Sequence, residues 1–213
     1  VKIAVIGITG RIGSRIAQEA LSRGHEVTGV ARDPPKVTLT HPKLRVIKGD
    51  ALDPASVAAA VAGHDVAVGA IGPDPQKGVG TLLTDAARAL IDGVKRAHVR
   101  RLLIVGGAGS LEVAPGVLLM DSPQFPADWK PIAKAHADAL DVYRKEKSLE
   151  WTYLSPAAMI EPGTRTGAYR TGDDKLLSDA HGNSRISMED FAVAILEEVE
   201  KPRHVRKRFT VAY

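Results

Sequence analysis

Three glycines at a spacing of three, Gly7, Gly10 and Gly13, follow a short apolar run and open an amphipathic stretch. Residues 3–6 are apolar and mostly β-branched, as in a strand buried on both faces. Beyond the glycines, Ile12, Ile16, Ala20 and Leu21 fall on one helical face. Gly24 supplies the stop, and residues 25–31 read as a second strand. The unit is therefore strand–turn–helix–strand. In that context each glycine does something different. Gly7 gives a sharp exit from the strand, Gly10 a surface with no Cβ, and Gly13 a helix lying close to the sheet. Such a turn holds the pyrophosphate of a dinucleotide on the free N–H groups of a helix N-terminus. Gly7, Thr9, Gly10, Arg11, Ile12 and Gly13 are the predicted contacts.

The end of the second strand indicates which dinucleotide. An acidic residue there bonds a ribose 2′-OH, whereas arginine accommodates a 2′-phosphate. This strand ends in Arg32, with Lys36 behind it and Arg11 in the turn. Three cations at one corner favour NADP(H) and leave NAD(H) as the second choice. Asp33 is the dissenting residue, since it can face a ribose.

A chain of 213 residues fits one α/β domain. Aromatics are only 4%, so the core must be built from Val, Ala, Leu and Ile. With no cysteine, disulfides, thiolate metal sites and cysteine nucleophiles are excluded. No apolar run approaches the roughly 20 residues of a membrane span, and the sequence starts directly on a strand. A cytoplasmic protein, monomer or homodimer, is the expectation. The formal charge is +4. Its excess lies near the C-terminus, at Lys201, Arg203, Arg206, Lys207 and Arg208. Only Phe209 interleaves an aromatic, so a solvated helix end and edge strand is expected there, not a nucleic-acid surface.

Five further strands are predicted, over 44–49, 65–70, 101–105, 151–155 and 208–212. Helices are predicted between most of them, with Asp53-Pro54 and Ser187/Asp190 as start signals. Helical crossovers imply a doubly wound parallel sheet of Rossmann type with helices on both faces. Ligands then sit outside the carboxyl ends of the strands. That selects Asp50, Ala51, Ala70, Ile71, Gly72, Gly106, Gly107, Ala108, Ser155 and Pro156 as further cofactor contacts. Residues 106–128 form a long loop whose apolar content suggests that it folds over the site. Residues 156–187 carry turn signals and are expected to form a small C-terminal substrate lobe.

The pattern Gly7-x-Thr9-Gly10-x-x-Gly13, with Arg32 and Gly49-Asp50 at the next strand ends, resembles the atypical short-chain dehydrogenase/reductases. The segments Gly106–Leu111, Trp151–Ala158 and Gly182–Ser187 resemble one branch of them, NAD(P)H-binding proteins described as NADH-flavin reductases. The resemblance implies an NAD(P)-binding domain with a small substrate lobe. The wider superfamily uses a serine with Tyr-x-x-x-Lys. Tyr143-x-x-x-Lys147 fits the spacing but falls at the end of its helix, away from the strand ends, and reads as a decoy. Ser110 matches the serine region, and Trp129 and Lys130 stand where the tyrosine belongs.

Hydride transfer to a planar acceptor needs alignment more than acid–base catalysis. The first expectation is an NAD(P)H-dependent reductase of flavin (FMN or FAD as substrate), quinone or a similar small molecule. Ser110 and Lys134 are the candidate catalytic residues, with Lys130 or His136 as other sources of charge or a proton, and Phe125, Met159 and Tyr169 as walls. A non-catalytic redox sensor and an epimerase/dehydratase are the alternatives.

Overall fold

The computed structural model describes residues 1–73 and 78–213. Its centre is β1 (Lys2–Ile6), whose side chains alternate between two cores. Ile3 and Val5 enter one core; Ala4 and Ile6 enter the other. β2 (Glu26–Ala31), β3 (Leu44–Lys48), β4 (Val66–Gly69), β5 (Arg101–Val105), β8 (Glu150–Ser155) and β12 (Lys207–Ala212) complete a parallel sheet in the order 3-2-1-4-5-8-12. The fold is the expected Rossmann-like α/β sheet. The order reverses between β1 and β4, which opens a crevice at their carboxyl ends.

Helices cover both faces. α1 (Arg11–Ser22) and α5 (Met188–Glu200) pack on one side, where Ile16, Phe191 and Ile195 share a core with Ile3 and Val5 of β1 and Phe209 of β12. α2 (Pro54–Val61), α3 (Leu82–Arg96) and α4 (Lys130–Lys145) cover the other, with Leu90, Leu102, Leu140 and Tyr153 buried between. Each such large side chain contributes roughly 1.5–3 kcal/mol on burial. The expected caps are present. Asp53 accepts from the Ala55 N–H at 2.9 Å, and Ser187 Oγ accepts from the Asp190 N–H at 2.9 Å.

The loop 106–128 carries a short hairpin, β6 (Glu112–Ala114) and β7 (Val117–Leu118). Segment 156–187 divides between a separate two-stranded sheet and the edge of the main one. β9 (Met159–Glu161) pairs with β11 (Arg185–Ser187), and β10 (Arg170–Gly172) adds antiparallel to β12. Without β10, β12 would present an unpaired edge. The hairpin is laced to the same segment through Glu112 N–H to Asp174 O and Leu176 N–H to Glu112 O, both 2.9 Å. The basic C-terminal run is divided by its strand. Arg208 turns inward onto Ser110 and Asp174, so it adds nothing to a surface patch.

At the opposite end of the strands from the crevice, β5 starts on a buried cation. The Arg101 guanidinium donates to Thr152 Oγ1 at 2.7 Å, the Glu150 carbonyl at 2.7 Å and Glu198 Oε1 at 2.8 Å. The Glu198 carboxylate also accepts from the N–H groups of Arg203 and His204 and bonds the His204 ring.

Candidate active site

The three glycines of the turn are not equivalent. A Cβ on Gly7 would stand 2.3 Å from the Ala70 carbonyl oxygen, and one on Gly13 would stand 2.2 Å from the Gly7 carbonyl oxygen. Both positions are excluded to side chains by backbone packed on backbone, and Gly7 also has φ +93°. Gly10 differs. Its Cβ would meet nothing nearer than the Gly7 carbonyl oxygen at 3.2 Å, and it lines the crevice. Around it, Gly10 N–H bonds Gly7 O and Ser14 N–H bonds Gly10 O. The N–H groups of Arg11, Ile12 and Gly13 have no backbone acceptor among the described residues. Free donors at a helix N-terminus beside a side-chain-free surface fit a pyrophosphate.

On one side of the turn lies a cavity of about 340 Å³ lined by Arg32, Asp50, Ala51, Ile71, Gly72 and Leu82, among others. Arg32 makes no hydrogen bond or ion pair among the described residues. Lys36, expected at this corner, does not line the cavity: its ammonium lies 3.4 Å from Asp33, with both side chains largely in solvent. Asp33, the dissenting carboxylate, is held at that pair and does not line the cavity either. Asp50 accepts from the Leu52 N–H at 2.9 Å, closing a turn.

On the other side is a larger cavity of about 1000 Å³, which shares Gly10, Ala70, Ile71 and Gly72 with the first. Its floor includes Gly106, Gly107, Ala108 and Pro156, and its walls are apolar: Leu119, Phe125, Trp129, Ile132 and Met159. Trp129 and Met159 are 47% and 39% exposed, and Phe125 meets Trp129 edge-on with centroids 6.4 Å apart. Gly106 and Gly107 let other groups come close to this floor. A Cβ on Gly106 would collide with the Tyr153 ring, and one on Gly107 would stand 2.7 Å from the His136 ring.

Besides Lys36, the predicted Ser110, Lys130, Lys134, Ser155 and Tyr169 lie elsewhere, Tyr169 donating its hydroxyl to Glu197 of α5 away from the cleft cavity. Ser110 and Lys134 line a separate cavity of about 870 Å³ on the far side of α4. The Ser110 hydroxyl accepts from Arg208 at 2.9 Å, and the Lys134 ammonium is held by Asp138 one helical turn on. The reason is helical phase. Trp129, Ile132, Ala133 and His136 share one face of α4, which lines the cleft, while Lys130, Lys134 and Asp138 share the other. Ser155 is fully buried behind the wall, does not line the cleft, and has a hydroxyl with no partner among the described residues. Pro156 takes the wall position beside it.

His136 is the titratable group that α4 brings to the cleft. The Tyr153 hydroxyl donates to the His136 carbonyl at 3.0 Å and lies 3.3 Å from His136 Nδ1. With the hydroxyl proton on the carbonyl, this arrangement assigns the ring proton to Nδ1 and leaves Nε2 as an acceptor. Of the two side chains named beside Lys134 as sources of charge or a proton, His136 lines the cleft and Lys130 does not. Burial holds its pKa down to about 4. The ring is therefore neutral when folded at pH 5, but half or more protonated when unfolded below its ordinary value of 6.5. The unfolded state binds more protons between these values, so stability rises with pH across that window. As pH falls from about 6.5 to about 4, wild type should lose up to about 3 kcal/mol more than His136→Gln. Urea unfolding of both proteins at stepped pH checks this; identical curves would contradict it.

Tyr143 is sealed in the core against Trp151 and Tyr153, and its pKa is driven far up by burial. Lys147 caps the Arg144 carbonyl in solvent. The Tyr-x-x-x-Lys spacing here is a packing coincidence.

The sheet order, the switch-point crevice and the glycine turn define a Rossmann-type dinucleotide-binding protein. The chain belongs to the NAD(P)H-binding family, whose model matches residues 7–202. It is 41% identical over 213 residues to the uncharacterized protein YwnB of Bacillus subtilis, covering 99% of this chain and 97% of that one. Among solved structures it is similar to a "putative epimerase" of Bacteroides thetaiotaomicron, at 43% identity, TM-score 0.92 and coverage of 100% and 96%. It is also similar to a "putative NADH-flavin reductase" of Streptococcus pneumoniae, at 32% identity, TM-score 0.86 and coverage of 99% and 98%. Among the described residues no helix is long and apolar enough to cross a membrane.

Proposed function

We propose that this protein is an NAD(P)H-dependent reductase of a planar small-molecule acceptor, with NADP(H) preferred. The observation that carries the reading is the form of the cleft. It has a cationic corner at Arg32, free N–H donors at the turn, and an apolar chamber walled by Trp129 and Met159 beyond it. When bound, the reduced nicotinamide supplies a hydride from C4 to the acceptor, which takes up a proton from water to balance the reduction. The protein itself provides alignment. Gly10 admits the pyrophosphate, the α1 N-terminus fixes it, and Leu119, Ile132 and Met159 offer the ring systems apolar contact. Neutral His136 offers Nε2 as a fixed acceptor, suited to an amide N–H of the nicotinamide or an N–H or O–H of the acceptor.

The similarity to a protein named for NADH-flavin reduction supports this reading, and the one named an epimerase points to a different use of the same cofactor. Mixing purified protein with NADPH and a panel of flavins and quinones separates them. Acceptor-dependent loss of the reduced-cofactor absorbance is expected. Tight cofactor binding with no oxidation by any acceptor would instead favour a redox sensor.

The cofactor preference has its own test. Arg32→Ala should weaken NADPH binding by roughly 10- to 100-fold while leaving NADH within about twofold, because only the 2′-phosphate loses its partner. Titration by cofactor fluorescence reads both values. An equal loss for both would remove Arg32 from the discriminating role.

A further inference from the structure

Among the described residues the acceptor chamber carries almost no positive charge. Among the described residues, Arg11 is the one formal cation lining it, and Arg11 stands at the turn where the pyrophosphate belongs. Lys130 and Lys134 line the separate cavity behind α4. Of the helix ends at this chamber, α5 is closed by the Ser187 cap and by Glu189 and Asp190 in its first turn, while α4 has Pro131, which has no N–H, in its own. The other ionic group lining it among the described residues is negative: the exposed Glu161, at the end of β9 beside Met159 and Ile160.

Resting on the reductase reading above, we infer that the acceptor is a planar, phosphate-free molecule, and that Glu161 makes the chamber reject anionic acceptors such as FMN and FAD. Leu119, Phe125, Trp129, Ile132 and Met159 give such a ring system apolar contact. A phosphate ester placed among them would leave water with no cation of the described residues to meet it and with a carboxylate nearby. Repulsion at the rim, in place of a new attraction, supplies the selectivity.

Riboflavin and FMN form a matched pair, since they differ only by the phosphate. With NADPH saturating, kcat/KM for riboflavin should exceed that for FMN by at least about tenfold. The same order should appear in equilibrium binding to the NADP⁺-loaded protein, read by quenching of flavin fluorescence. Glu161→Lys should shift the FMN-to-riboflavin ratio toward FMN by about tenfold or more in both measurements. Equal values for the two flavins in wild type, or a ratio unmoved by Glu161→Lys, would overturn the inference and leave the reductase reading standing. Failure of every neutral acceptor, quinones included, to oxidise bound NADPH would overturn both.

Discussion

Gly10→Val is expected to weaken NADPH binding by more than about 100-fold while the protein stays folded. The turn's own geometry separates the two effects. Gly10 has φ −74° and ψ 159°, a conformation any residue adopts, and a Cβ there meets only the Gly7 carbonyl oxygen, at 3.2 Å. A valine fits with a shift of a few tenths of an ångström, at about 1–2 kcal/mol of stability. Its methyl groups then occupy the surface the pyrophosphate must reach, beside the free N–H groups of α1. Gly13→Val is the contrast. Its Cβ would lie 2.2 Å from the Gly7 carbonyl oxygen, so fold and binding should fail together. Thermal unfolding beside cofactor titration distinguishes the two. A Gly10→Val protein that binds NADPH normally would show that the pyrophosphate does not cross this turn.

The second large effect is on stability alone. Arg101→Met should destabilise the protein by about 3–5 kcal/mol. The guanidinium side chain is 6% exposed and the Glu198 side chain 3%, so the substitution removes the buried cation facing the carboxylate and leaves it only the Arg203 and His204 N–H groups and the His204 ring. Thr152 and the Glu150 carbonyl lose a donor as well. Burial pushes the Arg101 pKa down, and the Glu198 charge beside it opposes that in part. The site lies at the amino end of β5, four residues and roughly 13 Å from the strand end that faces the cleft. NADPH affinity of the folded variant should therefore be unchanged. Urea unfolding with a loss under 1 kcal/mol would mean that the interior there relaxes or admits water.

Much of this molecule is written locally. The seven parallel strands and the glycine turn follow from short apolar runs and their stops, because most of these strands are buried on both faces, while their order comes from the structure. Gly7, Gly10 and Gly13 are legible as a group, but not their separate roles, since those depend on where Ala70 falls in the neighbouring strand. The catalytic side is harder to read. Ser110 follows the strand after which a catalytic serine is expected, yet Arg208, 98 residues later, draws its hydroxyl to the other side of α4. Placing Lys134 correctly requires the helical phase, which the spacing of Trp129, Ile132 and His136 contains. The lacing of the β6–β7 hairpin to residues 174–176 is non-local pairing and has no sequence signal of its own.

The central claim is that a reduced nicotinamide lies in the apolar chamber with one face on a wall and the other toward the acceptor. Single-turnover oxidation of NADPH deuterated at C4, with each stereoisomer in turn and riboflavin or a neutral quinone as acceptor, tests it most directly. The expected result is acceptor-dependent oxidation with a primary isotope effect for one stereoisomer and none for the other. Bound NADPH that no acceptor oxidises, or an equal isotope effect from both faces, would contradict it.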